Sequence, residues 1–180
     1  AASDVYKRQT LCKYMLLPYL KEFIHRNPHI SISIECQSTN ETLKLLDDDK
    51  IDIGLIGKPA SLKTFNFYYL DNIEDIFVTT KDYLRNLSAR GVKKSEILQN
   101  STLMLLDKGN MTRKYIDDYL QENQIHVKDS IDISNMDLLI DFAKIGVGVA
   151  CVIKSIVSKE LADGTPVSYT HLTLPTNSLV

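Results

Sequence analysis

The sequence lacks the signatures of most chemistries. No apolar run approaches the roughly 20 residues that a membrane-spanning helix needs, and no charged n-region followed by an apolar h-region marks a signal peptide. There is no C-x-x-C and no H-E-x-x-H, and the four histidines are scattered. Three cysteines, Cys12, Cys36 and Cys151, are odd in number and widely spaced, each in an apolar or strand-like setting. They read as reduced, buried thiols of a cytoplasmic protein, with no metal site. No G-x-x-x-x-G-K-[ST] is present, nor a nucleophile elbow or a matched acid–base pair, so an enzyme on an α/β scaffold is the weakest reading. No cofactor is expected. Internal repeats and low-complexity tracts are also missing.

Both ends look foreign to what lies between them. AASDVYKRQ back-translates to GCA GCG TCA GAT GTG TAT AAG AGA CAG. The reverse complement, in a shifted frame, encodes V-S-Y-T-H-L-T-L, the start of the C-terminal segment. One oligonucleotide in two orientations accounts for both ends, and it resembles the adapter of transposase-based sequencing libraries. Residues 1–9 and 167–180 are therefore set aside as adapter-like. Of 21 basic and 23 acidic residues, removing Lys7, Arg8 and Asp4 leaves 19 and 22, a net of −3. That balance carries no basic footprint for nucleic acid.

What is present is an alternation of helical and strand-like patterns. Residues 11–26 place Met15, Leu16, Tyr19, Leu20, Phe23 and Ile24 on one helical face, with Pro18 predicting a late start or a kink. HISISIEC alternates Ile30, Ile32 and Ile34 with serines, a strand pattern. Ser38 and Glu41 have capping-box spacing at the start of a short helix. Strands are predicted at 52–57, 65–70, 74–80, 102–107, 130–134 and 147–153. Helical patterns are predicted over 81–100 with a break at Gly91, over 111–123 with Ile116, Tyr119 and Leu120 inward, over 134–146, and over 155–164. This is an α/β pattern. Asp47-Asp48-Asp49 falls at a helix C-terminus, where the dipole disfavours anions, and reads as a solvated turn.

KIGVGVACVIK contains G-x-G, but it runs helix, glycines, strand, the reverse of a dinucleotide loop, and position 151 is Cys where a third Gly would fall. Gly146 is read as a left-handed helix stop, and Gly148 as a point of close backbone packing.

Three blocks occur in order: LLPYLKEFIHRNPHISISIEC, LDDDKIDIGLIG, and NMDLLIDFAKIGVGVACVIKSIVSKEL. Together they resemble the effector-binding domain of LysR-type transcriptional regulators over nearly all of residues 10–165. The resemblance implies a two-lobed α/β fold of the type II periplasmic-binding-protein kind, truncated at both ends. Lobe one spans 10–79, lobe two 80–161, and a return toward lobe one begins at 162–166. A DNA-binding helix-turn-helix is missing from the chain. The resemblance implies a small-molecule effector in the interlobe cleft, a homodimer or tetramer for the full-length protein, DNA contact only through the missing domain, and no membrane. A solute-binding receptor of a transport system shares the fold and stands as the alternative. An upstream helix-turn-helix or an upstream secretory signal discriminates the two.

Ligands in open α/β sheets sit at strand carboxyl ends, where helix N-termini point. The helix starts here carry Thr10, Ser38 and Thr39, Asn110 and Thr112, and Ser134 and Asn135, and their free N–H groups favour an anion. Each is also an ordinary N-cap. Ser38 is committed to its own helix by Glu41, which leaves Thr39 freer. Arg113 is placed to clamp a carboxylate, with Asp117 one turn on as a competing partner. Asn135 and Met136 offer a polar and an adaptable apolar contact. Lys58 is left open between the cleft mouth and the surface.

Overall fold

The computed structural model describes residues 12–37, 39–56, 65–108 and 111–164, with short strands at 167–168 and 177–179. The chain divides into two compact units, Ala1–Tyr69 with Leu179–Val180, and Leu70–Ser178. The fold is mixed α/β.

The first unit opens with a π-helical turn, Cys12–Leu16, that runs into α1, Leu17–Arg26. Pro18 sits in the first turn of α1. Its ring would crowd the carbonyl four residues back and it has no N–H to offer, so the wider turn absorbs the conflict and the regular helix begins late. Helix α2 spans Thr39–Asp47. It ends with Asp49 in the left-handed region (φ 51°), where Lys50 N donates to Leu45 O at 2.8 Å and Asp49 N to Leu46 O at 3.1 Å. This double bond pattern closes the helix. The acidic run is accordingly an exposed turn, and Lys50 pairs with Asp48.

Residues 30–37, 51–56 and 65–70 form no strand, contrary to their alternation and apolar runs. Alternation makes a face, but a strand exists only by pairing, and none of these segments has a ladder partner among the described residues. The helical face of α1 is likewise open: Tyr19, Phe23 and Ile24 are exposed, as are Ile30 and Ile34. Met15 and Ile56 are the buried apolar side chains that the described residues of this unit contain.

The second unit is built on a sheet. Strand β1, Asp71–Ile73, pairs with a late strand described below; β2 is Asp75–Thr79. Helix α3, Lys81–Ala89, follows, capped by Thr80, whose hydroxyl accepts from Tyr83 N. It stops at Gly91 (φ 80°). A 3-10 turn leads to the short α4, Ile97–Asn100, and to β3, Thr102–Leu106. Then come α5, Met111–Glu122, β4, Asp129–Ile133, α6, Met136–Lys144, and β5, Val149–Ile153. A 3-10 turn and α7, Ser158–Ala162, precede β6, Val167–Ser168, and β7, Asn177–Leu179, the partner of β1.

The main sheet has the order β4-β3-β5-β2-β6. Strands β4 and β5 run parallel to β3, and β2 runs antiparallel to β5, with Asp75 opposite Ile153 and Val78 opposite Ala150. Strand β6 lies along the outer side of β2 through Val78 and Thr79. β2 and β5 are buried along their whole length, as the apolar runs IFV and VACVI require of strands covered on both faces. Phe77, Leu103, Leu105, Val149 and Cys151 meet Leu87, Ile97, Ile116 and Leu120 in one core cluster. Ile116 and Leu120 are inward as expected, with Tyr119 packed at the margin.

Both glycines of GVGV perform the expected tasks. Gly146 has φ 76°; its N–H donates to Ala143 O and Val147 N to Phe142 O, which closes α6. A Cβ on Gly148 would lie 2.2 Å from the Thr102 carbonyl oxygen, so only glycine lets β5 lie this close to β3.

Candidate functional site

In the second unit, parallel strands β3 and β4 deliver two helix starts to the same sheet end. The ladder extends one step past β3, where Asp107 N donates to Ile133 O at 3.2 Å. Helix α5 begins at Met111, after the β3 end, and α6 at Met136, after the β4 end. Each helix therefore places the positive end of its dipole at a strand carboxyl end.

Asn135 caps α6: its Oδ1 accepts from Leu138 N at 2.9 Å. With Oδ1 committed to the cap, the amide Nδ2 is the donor that Asn135 has left to offer. Met136 is only 2% exposed and packs in the core.

Arg113 takes the competing role and adds to it. Its side chain is buried. Nε donates to Asp117 Oδ1 at 2.8 Å, while Nη1 donates to Asp132 Oδ1 at 2.6 Å and to Leu106 O at 2.9 Å. Burial alone would lower its pKa, but the hydrogen bonds to Asp117 and Asp132 outweigh that and push it up. The guanidinium thus ties α5 to the ends of β3 and β4. Asp117 was foreseeable as the i+4 partner. Asp132 was not named, although an aspartate inside SIDIS is a signal, because Asp is depleted in strands and needs a reason to be there.

Other polar groups fix the sheet end opposite. Thr79 Oγ1 donates to Gly148 O at 2.8 Å, and Thr102 N donates to the Tyr83 hydroxyl at 3.0 Å. The Cys151 thiol, inside β5, is raised well above its ordinary value by burial, with Asp75 adding to the effect, and stays protonated at neutral pH.

In the first unit, Thr39 is the first residue of α2 and half-buried. Thr10, Ser38, Lys58 and Asn110 lie outside the described residues, as does the side chain of Thr112. The described part of the expected set thus brings Arg113, Asn135 and Met136 to one sheet end, with different tasks. Among the described residues no group of three or more His, Cys, Asp or Glu could hold a metal ion, and no helix is long and apolar enough to cross a membrane.

Residues 8–169 match the family described as LysR substrate binding domain. The uncharacterized HTH-type transcriptional regulator YeiE of Escherichia coli is 22% identical over 165 residues, which is 91% of this chain and 55% of that protein. The HTH-type transcriptional activator CmpR of Synechocystis is 25% identical over 146 residues, 78% of this chain and 46% of that one. The chain spans about half the length of these relatives. Among solved structures, the CcmR regulatory domain of Synechocystis PCC6803 in complex with 2-PG superposes with a TM-score of 0.69 at 14% identity, over 94% of this chain and 81% of that one. At that identity the likeness is one of fold.

Proposed function

The chain belongs to the LysR substrate-binding-domain family, and from that premise we propose that it is the effector-sensing part of a bacterial transcription regulator, acting in the cytoplasm without catalysis of its own. The observation that carries this reading is the family match over residues 8–169. The relatives that match are transcription regulators, which leaves the transport-receptor alternative without support. In this reading the effector shifts the equilibrium between two conformations of the regulator. DNA is bound by a separate helix-turn-helix domain, and the working protein is a homodimer or tetramer.

We assign the effector's class as a small anion. Two helix starts at one sheet end supply N–H donors and a positive dipole, each worth about 0.3–1 kcal/mol when exposed. The arginine nearby is occupied by aspartates, so recognition falls to neutral donors. Asn135 Nδ2, Thr112 and Asn110 are the proposed contacts in this unit. In the first unit Thr39 is proposed, with Thr10 and Ser38. The CcmR regulatory domain holds 2-PG, and phosphorylated and carboxylated acids head the candidates.

A thermal-shift screen of small carboxylates, phosphorylated acids and amino acids tests this. A true effector at a hundred times its Kd stabilises by about 2.7 kcal/mol. Asn135→Asp keeps the cap but replaces the amide donor with a negative charge. It is expected to leave the unliganded Tm within a degree or two and to weaken an anionic effector about tenfold or more. Unchanged affinity would remove Asn135 from the site, and binding of neutral compounds alone would overturn the anionic class.

A further inference from the structure

Among the described residues Arg113 is the one buried cation. It stands at a sheet end that is rich in carboxylates. Leu106 is the last residue of β3 and Asp132 the last but one of β4, so the bonds of Nη1 to both fix the guanidinium where these strands finish. Nε holds Asp117 of α5. Asp107, just past β3, and Asp137, in the first turn of α6, bring further carboxylates to this end. Lys108 and Lys114 follow β3 in sequence but are exposed, so water and salt weaken their charge. The buried guanidinium is screened far less.

We propose that Arg113 sets the anion affinity of this end by charge balance, without touching the anion. It is a positioning residue: it holds Asp132 and Asp117 in ion pairs and so cancels repulsion that an anionic effector would otherwise meet. The inference rests on the anionic reading of the effector given above. Asp132 then acts in the opposite sense to Arg113. Without the arginine, both carboxylates are left uncompensated and the end turns more negative. Without the Asp132 charge, the guanidinium has positive charge to spare.

This opposition separates charge from scaffolding. Asp132→Asn keeps an oxygen that can accept from Nη1, so the tie between α5 and the strand ends survives as a neutral hydrogen bond. Had Arg113 only a scaffolding role, that variant would bind an anion no more tightly than wild type. Arg113→Met with Asp132→Asn would then bind as poorly as Arg113→Met alone. Charge balance requires the reverse in both cases, because the double variant carries the same net charge as wild type.

The test follows the broadening of the inorganic phosphate line in phosphorus NMR against concentration of the full chain, at fixed ionic strength. Arg113→Met is expected to weaken phosphate binding about tenfold and Asp132→Asn to tighten it about tenfold, the effect of one charge a few ångströms away in a partly hydrated site. The double variant is expected to return to within about threefold of wild type, which closes the cycle. Added sodium chloride should shrink the spread. Asn135→Asp should weaken binding in the wild-type background, which locates the phosphate at this end. Phosphate bound by wild type, with Asp132→Asn no tighter or the double variant unrescued, would overturn the charge role and leave the anionic reading standing. Phosphate bound by neither wild type nor Asp132→Asn would overturn both. If Arg113→Met fails to fold, the sign of the change in Asp132→Asn decides alone.

Discussion

At the scale of single residues, Arg113 shows how one side chain can be claimed by the fold. Its guanidinium bonds Asp117, Asp132 and the Leu106 carbonyl at once, while its own side chain is 7% exposed and the two carboxylates are 48% and 43% exposed. Removing a buried charge from its partners costs more than losing a surface pair, but these partners retain water, which limits the loss. Arg113→Met is expected to destabilise by about 2 kcal/mol, read as a lower urea midpoint with unchanged slope. Arg113→Lys should recover little, because one ammonium cannot reach three acceptors set in a fork. Sequence reading could see Asp117, which is local. It could not see that a strand nineteen residues away would present Asp132 to the same fork. Gly148 is the opposite case, legible and confirmed. Its substitution Gly148→Ala drives a methyl into backbone at 2.2 Å, so β5 must part from β3. A loss of about 2–3 kcal/mol is expected in the same denaturation assay.

Elements were legible where the signal was local. Helix α6 announces itself with a cap at Asn135, an apolar stripe through Leu139, Ile140 and Ala143, and a glycine stop, and it forms where expected. Strands β3 and β5 were legible as short apolar runs that sit in the middle of a sheet. The segments at 30–37 and 51–56 failed because pairing is a property of the partner, which a pattern along one strand does not contain. Helix α7 offers an element-scale test. Glu160 accepts its own backbone N–H and pairs with Lys144 at 3.2 Å, against desolvation, and its pKa is lowered. A lowered folded-state pKa gives stability that is present above the ordinary carboxylate value and is lost as pH falls through the folded one. Denaturation of wild type and Glu160→Gln should therefore differ at neutral pH by no more than about 1 kcal/mol and converge in acid.

Across the whole molecule the two units differ in how much core they contain. The second carries a buried cluster spanning strands and helices, whereas Met15 and Ile56 represent the first among the described residues. Local opening free energy follows buried apolar contact. Hydrogen exchange should find the amides of β2, β3 and β5 protected at least about a hundredfold better than those of α1 and α2. Equal protection would show the first unit to be held by more than its own packing. The pairing of β2 with β5 also has a bearing on synthesis. Asp75–Thr79 leaves the ribosome early, yet its partner, Val149–Ile153, is made only after two β–α crossovers. At roughly 5–20 residues per second, the sticky sequence IFV waits several seconds without its neighbour. During that delay the nascent chain is a client for whatever holds unpaired strands apart in the cell, and a slower translation rate would lengthen its exposure.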